Sequence, residues 1–288
     1  MLYSFFDGYG SLDRAAFRQQ IEWCIGKGCH GIAMLGLLTE VSALTPEERD
    51  TLVGWAIDDI GGRLPLLVTI AGRDASEAIA LAHSAHDKGA DYLVLQPPLG
   101  QRPPSAELTA FYAEVMAAVP ARFGIQNAPE FLGVGLDPDE VARLRDLRSN
   151  FALMKGEGPV VQVKRFIERM EGELPVFNGR GGLELVDNLL AGCAGMIPAP
   201  ETLDLQVAIY DAVRAGDLQL AIARYQRLLP YAVFAMQTLD VAILHGKRAF
   251  VRRAGIANAA TCRLPKLTPD PFLDAAAERW ISAVTSGT

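Results

Sequence analysis

Short apolar runs rich in branched side chains alternate along this chain with amphipathic helical stretches. The runs fall at residues 2–5, 31–35, 64–70, 92–95, 123–126, 151–155, 175–178 and 195–197. Their starts lie roughly 20 to 35 residues apart, the length of one strand–helix unit in a parallel sheet. Helix starts are marked between them. Thr45-Pro46-Glu47-Glu48 reads as an N-cap, a proline at the first helical position and a capping-box glutamate. Asp74-x-x-Glu77 and Asp137-Pro138-Asp139-Glu140 repeat the device. Behind Thr45, Val53, Ala56, Ile57 and Ile60 recur at helical spacing and are expected to face a sheet. Glycine marks helix ends at Lys27-Gly28, Gly61-Gly62, Lys88-Gly89, Ala191-Gly192 and Ala215-Gly216.

Eight strands each followed by a helix can close into a barrel or stay open as a doubly wound sheet. The count of eight, and the lack of a GxGxxG after the first run, favour an α/β (β/α)8 TIM barrel over residues 1–216. From about Asp217 the alternation stops. Leu220, Tyr225, Leu228, Leu229, Val233 and Met236 continue a helical pattern, followed by helical stretches at 241–253 and 272–284. Residues 217–288 are therefore expected to form a C-terminal helical extension packed on the barrel.

Composition narrows the partners. Half of the 288 residues are apolar and the net charge is −7, without a basic block or stripe, which argues against nucleic acid or an anionic membrane. No run reaches ~18 apolar residues, so no membrane span is expected. The N-terminus lacks the pattern of a secretion signal, and a cytoplasmic protein is expected. Cys24, Cys29, Cys193 and Cys262 form no CxxC pair and no metal spacing, and read as reduced, mostly buried thiols. His83 and His86 lie three apart on a helix without a third ligand nearby, while His30 and His245 are isolated; no metal and no cofactor are expected.

In barrel enzymes the chemistry sits at the C-terminal ends of strands. Among six lysines, Lys27 and Lys88 sit at helix ends, Lys164 is on a wet helix face, and Lys247 and Lys266 fall in the C-terminal extension. Lys155 alone ends an apolar strand, Phe151-Ala-Leu-Met-Lys155. Burial there disfavours the ammonium and leaves an amine able to attack a carbonyl. The other reading is a lysine that extends to the rim and pairs with a carboxylate. Glu157, two residues on, shares the face of Lys155 if strand geometry persists, ~6–7 Å further along. Otherwise Glu157-Gly158-Pro159 opens the next helix, where an acid favours the dipole. Gln126 and Asn127 bring neutral amides to the rim after their strand. Thr39 can hold a substrate carboxylate or bond its own turn. Asn178-Gly179-Arg180-Gly181-Gly182 can cradle phosphate, or Arg180 can take a carboxylate or be solvated.

These pieces together resemble the dihydrodipicolinate synthase/N-acetylneuraminate lyase family of class I aldolases over nearly the whole chain. The matching segments are Gly36-Leu-Leu-Thr-Glu40 with Leu44-Thr-Pro-Glu-Glu-Arg49, Gly89-Ala-Asp-Tyr-Leu-Val-Leu-Gln-Pro-Pro98, Gln126-Asn-Ala-Pro129, Lys155, and Gly192-Cys-Ala-Gly-Met-Ile197. The resemblance implies a barrel, a Schiff-base lysine at Lys155, no dissociable cofactor, and a homotetramer built as a dimer of dimers. It implies a small 2-oxo acid as substrate, with Leu38, Thr39, Asn127, Asn178, Gly179, Arg180 and Ile197 lining its site beside the catalytic Lys155, Glu157 and Gln126.

Departures sharpen the resemblance. The family's Gly-Thr-Thr-Gly-Glu stands here as Gly36-Leu37-Leu38-Thr39-Glu40, without the two hydroxyls that help place the substrate carboxylate. Its proton-shuttling tyrosine is Gln126, Phe131 lies near the place of the synthases' arginine, and Leu99-Gly100 follow Pro98 where a second tyrosine is usual. These changes point away from a lysine-pathway synthase. The chain is similar instead to the L-2-keto-3-deoxyarabonate dehydratase branch, which has a glutamine in the tyrosine position and a glutamate two residues after the lysine. That branch has Trp-Asp-Gly where this chain has Phe177-Asn178-Gly179. A hydro-lyase acting on a 2-keto-3-deoxy sugar acid is the leading expectation. A pyruvate-releasing retro-aldolase of a 4-hydroxy-2-oxo acid, and a non-catalytic barrel that binds a 2-oxo acid, are the alternatives.

Overall fold

A computed structural model describes residues 1–264 and 270–285; Lys266 lies outside them. Seven of the eight apolar runs are strands: β1 (Ile32–Met34), β2 (Leu66–Ile70), β3 (Tyr92–Leu95), β4 (Phe123–Asn127), β5 (Phe151–Gly156), β6 (Val176–Asn178) and β7 (Gly195–Met196). Strands β2 to β7 pair in chain order, and every pair among them is parallel. Nearly every residue of these strands is buried, the signature of a parallel sheet covered on both faces.

The expected first strand, residues 2–5, is a correction. Its side chains are buried as a strand's would be, with Tyr3 and Phe5 at 0% exposure. Its backbone, however, is satisfied largely by side chains. The Gln20 amide accepts from the Tyr3 N–H and donates to the Tyr3 carbonyl, both at 2.9 Å. The Thr39 hydroxyl donates to the Leu2 carbonyl at 2.7 Å. A primary amide reproduces the donor and acceptor of a neighbouring strand, so Tyr3 is satisfied without a strand partner.

Two compact units are distinguished. The first comprises Met1–Leu64, Gly181–Val186 and the chain from Pro198 on. It contains the helix Pro46–Ile60, where Thr45 and Glu48 make both bonds of the capping box. Such a cap contributes ~1 kcal/mol. Leu52, Val53, Ala56 and Ile60 are the apolar residues buried on this helix, whereas Ile57 is half-buried. The C-terminal helices Leu218–Ala235, Leu239–Ala254 and Pro271–Thr285 meet around Tyr231, Phe234, Val241, Ala249, Ala277 and Ile281. No helix of the described residues is long and apolar enough to cross a membrane.

The second unit, Pro65–Arg180 and Asp187–Ile197, holds β2 to β7. Its helices start as the sequence indicates: the Asp74 carboxylate accepts from the Glu77 N–H, and Asp137 and Glu140 close a full capping box. The Glu77 carboxylate turns to Arg73 rather than to the Asp74 N–H. Strand register in this unit decides which side chains share a face.

Candidate active site

Gln126 is in register with Lys155, and Lys155 with Phe177. Three neighbouring strands therefore present one row of side chains near their C-terminal ends. The ladder continues past Gly156, because the Glu157 N–H donates to the Asn127 carbonyl at 2.9 Å. Strand parity survives the glycine, and Glu157 points to the same face as Lys155. The next helix starts only at Val160, with Pro159 as its cap. Glu157 thus ends a strand rather than occupying a first helical turn.

The two side chains meet. Lys155 Nζ lies 3.1 Å from Glu157 Oε1, and each residue is 6% exposed. The second carboxylate oxygen, Oε2, accepts a short hydrogen bond from Gln126 Nε2. Gln126 Oε1 in turn accepts from Gln96 Nε2 at 2.7 Å. All four residues are buried, so a chain of amides leads to an ion pair with little water around it. A lysine so placed can hand its proton to Glu157 and attack a carbonyl, and the carboxylate can afterwards move a proton at the neighbouring carbon.

Gly179 closes one wall. A β-carbon there would lie 2.7 Å from Lys155 Cε and would collide with the Glu157 carboxylate as well, so this position requires a hydrogen. Asn178 holds the same loop from behind. Its amide donates to the Gly158 carbonyl at 2.9 Å and to Asn188 Oδ1 at 3.1 Å, and accepts from the Arg180 N–H at 3.1 Å. Ile197 continues the β7 ladder by donating its N–H to the Asn178 carbonyl at 2.8 Å. Arg180 approaches Glu130 at 4.0 Å. Asn127 turns its amide to both backbone groups of Leu136, at 2.8 and 2.9 Å.

Of the residues expected at the site, Lys155, Glu157, Gln126 and Gly179 are brought together. Asn127 and Asn178 spend their amides on the protein itself. Leu38 and Thr39 belong to the first unit, in the short turn Leu37–Thr39, where Leu38 packs beside Tyr3 and Phe250. The Thr39 hydroxyl is committed to the Leu2 carbonyl, and the Thr39 carbonyl accepts from Ser4 at 2.8 Å.

Sequence reasoning missed two residues. Gln96 follows β3 and carries that ladder forward by donating its N–H to the Ile70 carbonyl at 3.0 Å; an amide at the end of an apolar strand was its signal. Lys247, within the helix Leu239–Ala254, is wholly buried on Glu40 at 2.5 Å. Apolar neighbours on its helix were the only local hint.

Comparison with known proteins extends the picture. The profile of the dihydrodipicolinate synthetase family matches residues 1–274. A 4-hydroxy-tetrahydrodipicolinate synthase from Methanoculleus marisnigri is 31% identical over 227 residues, 78% of this chain and 77% of that protein. Escherichia coli K12 YjhH, named "Probable 2-dehydro-3-deoxy-D-pentonate aldolase", is 29% identical over 241 residues, 82% of this chain and 80% of that one. The crystal structure of E. coli K12 YagE, a prophage protein of the dihydrodipicolinic acid synthase family in complex with pyruvate, superposes with a TM-score of 0.88. It is 26% identical, with 98% of this chain and 96% of that chain covered.

Proposed function

This chain belongs to the dihydrodipicolinate synthetase family and is a lyase of that family; from that premise we propose that it dehydrates a 2-keto-3-deoxy sugar acid through a Schiff base on Lys155. The observation that carries the reading is the buried contact of Lys155 with Glu157, whose other oxygen is held by a glutamine. Glu157 takes the ammonium proton, Lys155 Nζ adds to the C2 carbonyl, and Glu157 returns the proton to the resulting hydroxyl, which leaves as water. The resulting iminium acidifies C3–H. Glu157 removes that proton, the electron pair forms the enamine, and the enamine expels the C4 hydroxyl. Glu157 returns its proton to that leaving group, so one water departs, and hydrolysis of the imine restores Lys155.

Gln126 has an amide where aldol chemistry calls for a group that exchanges protons near pH 7, which favours dehydration over cleavage. Retro-aldol release of pyruvate is the second reading, supported by the aldolase name of the E. coli relative. Substrate contacts of Arg180 and Ile197 belong to this proposal, with Arg180 the cationic candidate for a carboxylate. So do a (β/α)8 barrel over residues 1–216 with a helical extension, a homotetramer, and a cytoplasmic location. The extended segment at 2–5 supports the barrel, since its Leu2 N–H reaches the Ala33 carbonyl at 2.8 Å.

A panel of 2-keto-3-deoxy acids followed by mass spectrometry tests the reaction. A product lighter by one water supports dehydration. Pyruvate with an aldehyde supports the second reading instead. Substrates recovered unchanged across the panel would leave a 2-oxo-acid-binding barrel and sink both enzyme readings.

A further inference from the structure

We propose that Gln96 is a positioning residue that selects, through Gln126, which oxygen of Glu157 acts as the base. The proposal rests on the Schiff-base dehydratase reading above and adds to it a residue that acts on Glu157 through another side chain.

An ionised carboxylate only accepts hydrogen bonds. The face that Gln126 turns to Glu157 must therefore be its NH2 group, as observed. That choice leaves Gln126 Oε1 on the opposite side, where a donor is needed. Gln96 supplies one, its Nε2 lying 2.7 Å away. Were Gln96 to offer an oxygen, Gln126 would rotate and set its own oxygen against the carboxylate. Both glutamines are 1–2% exposed, so bulk water is a poor substitute for either partner.

The consequence falls on Glu157. Oε2 is tied to the amide, while Oε1, 3.1 Å from Lys155 Nζ, keeps its lone pairs for the moving proton. Lys155 is the charged group beside Glu157 on its own strand. From the packed elements β4 contributes the neutral Gln126, and the loop after β6 contributes Gly179. A charge-assisted hydrogen bond fixes the rotation of the carboxylate, and losing it lets Oε1 turn away from the proton it has to take.

Pyruvate is a sufficient probe. Exchange of its methyl hydrogens in deuterated water, followed by NMR, reports proton removal at C3 through the enamine. Borohydride trapping at Lys155 reports imine formation separately. Gln96→Met is expected to trap normally and to exchange about tenfold more slowly. Gln96→Glu keeps the shape and, once ionised, draws the Gln126 donor away from Glu157, so a larger loss of exchange with trapping retained is expected; it carries the test alone should Gln96→Met not fold. Unchanged exchange in both variants would overturn the role of Gln96, and so would a parallel loss of trapping and exchange. Failure of the unsubstituted protein to trap pyruvate at all would instead remove the Schiff-base reading, which keeps the two failures apart.

Discussion

Two buried lysine–glutamate pairs, Lys155–Glu157 in one compact unit and Lys247–Glu40 in the other, spend their remaining valences in opposite ways. Lys247 is sealed. Its ammonium donates to Glu40 and to the Thr261 carbonyl, and lies over the rings of Phe5 and Phe6. The other Glu40 oxygen accepts from the Leu264 N–H at 2.6 Å, and both side chains are 0% exposed. Lys155, by contrast, has one hydrogen-bonding or ion-pair partner among the described residues, Glu157, and 7% of its side chain is exposed. A buried charge held by two hydrogen bonds and two ring faces is locked, whereas one with a single partner beside a glycine wall can meet a substrate. Burial alone therefore does not distinguish the two lysines; the number of partners does.

The largest expected effect that keeps the imine is at the base. Glu157→Gln should still be trapped by borohydride with pyruvate while turnover falls ~10²–10⁴, the usual worth of a positioned general base. Near-normal turnover would leave the pair as a structural contact like its counterpart. A smaller loss is expected for Gly179→Ala. Its methyl displaces Lys155 and Glu157, and a shift on the order of 1 Å costs about 10²-fold in turnover. Activity unchanged in that variant would mean that the pair has slack.

Lys247→Met should act on stability instead. Removing one partner of a buried pair costs ~3–5 kcal/mol, because Glu40 is left buried without its cation. Adding Glu40→Gln should restore part of the loss in denaturant unfolding, and trapping per folded molecule should stay unchanged. A loss of trapping in the folded single variant would erase the contrast between the two pairs.

The pair of Lys155 and Glu157 was legible in the chain because it is local. An apolar strand that ends in lysine, with an acid two residues on, encodes a shared face by parity, and the ladder bond at Glu157 preserves that parity. The sealed pair was not, since its members stand 207 residues apart and nothing near Glu40 specifies a partner. The same limit explains residues 2–5. Their side-chain pattern is that of a strand, but the partner of the Tyr3 backbone is the Gln20 amide, inside a helix. Asn127 read as a rim amide because it ends a strand; its pairing with Leu136 depends on how the following loop folds back. Seven strands and the marked helix caps followed directly from periodicity and capping chemistry.

Reduction with borohydride in the presence of pyruvate, followed by peptide mass mapping, tests the difference between the two lysines most directly. Lys155 should carry the reduced adduct and Lys247 should remain unmodified. An adduct on Lys247 or any other lysine, or no adduct at all, would contradict the assignment of Lys155 as the Schiff-base residue.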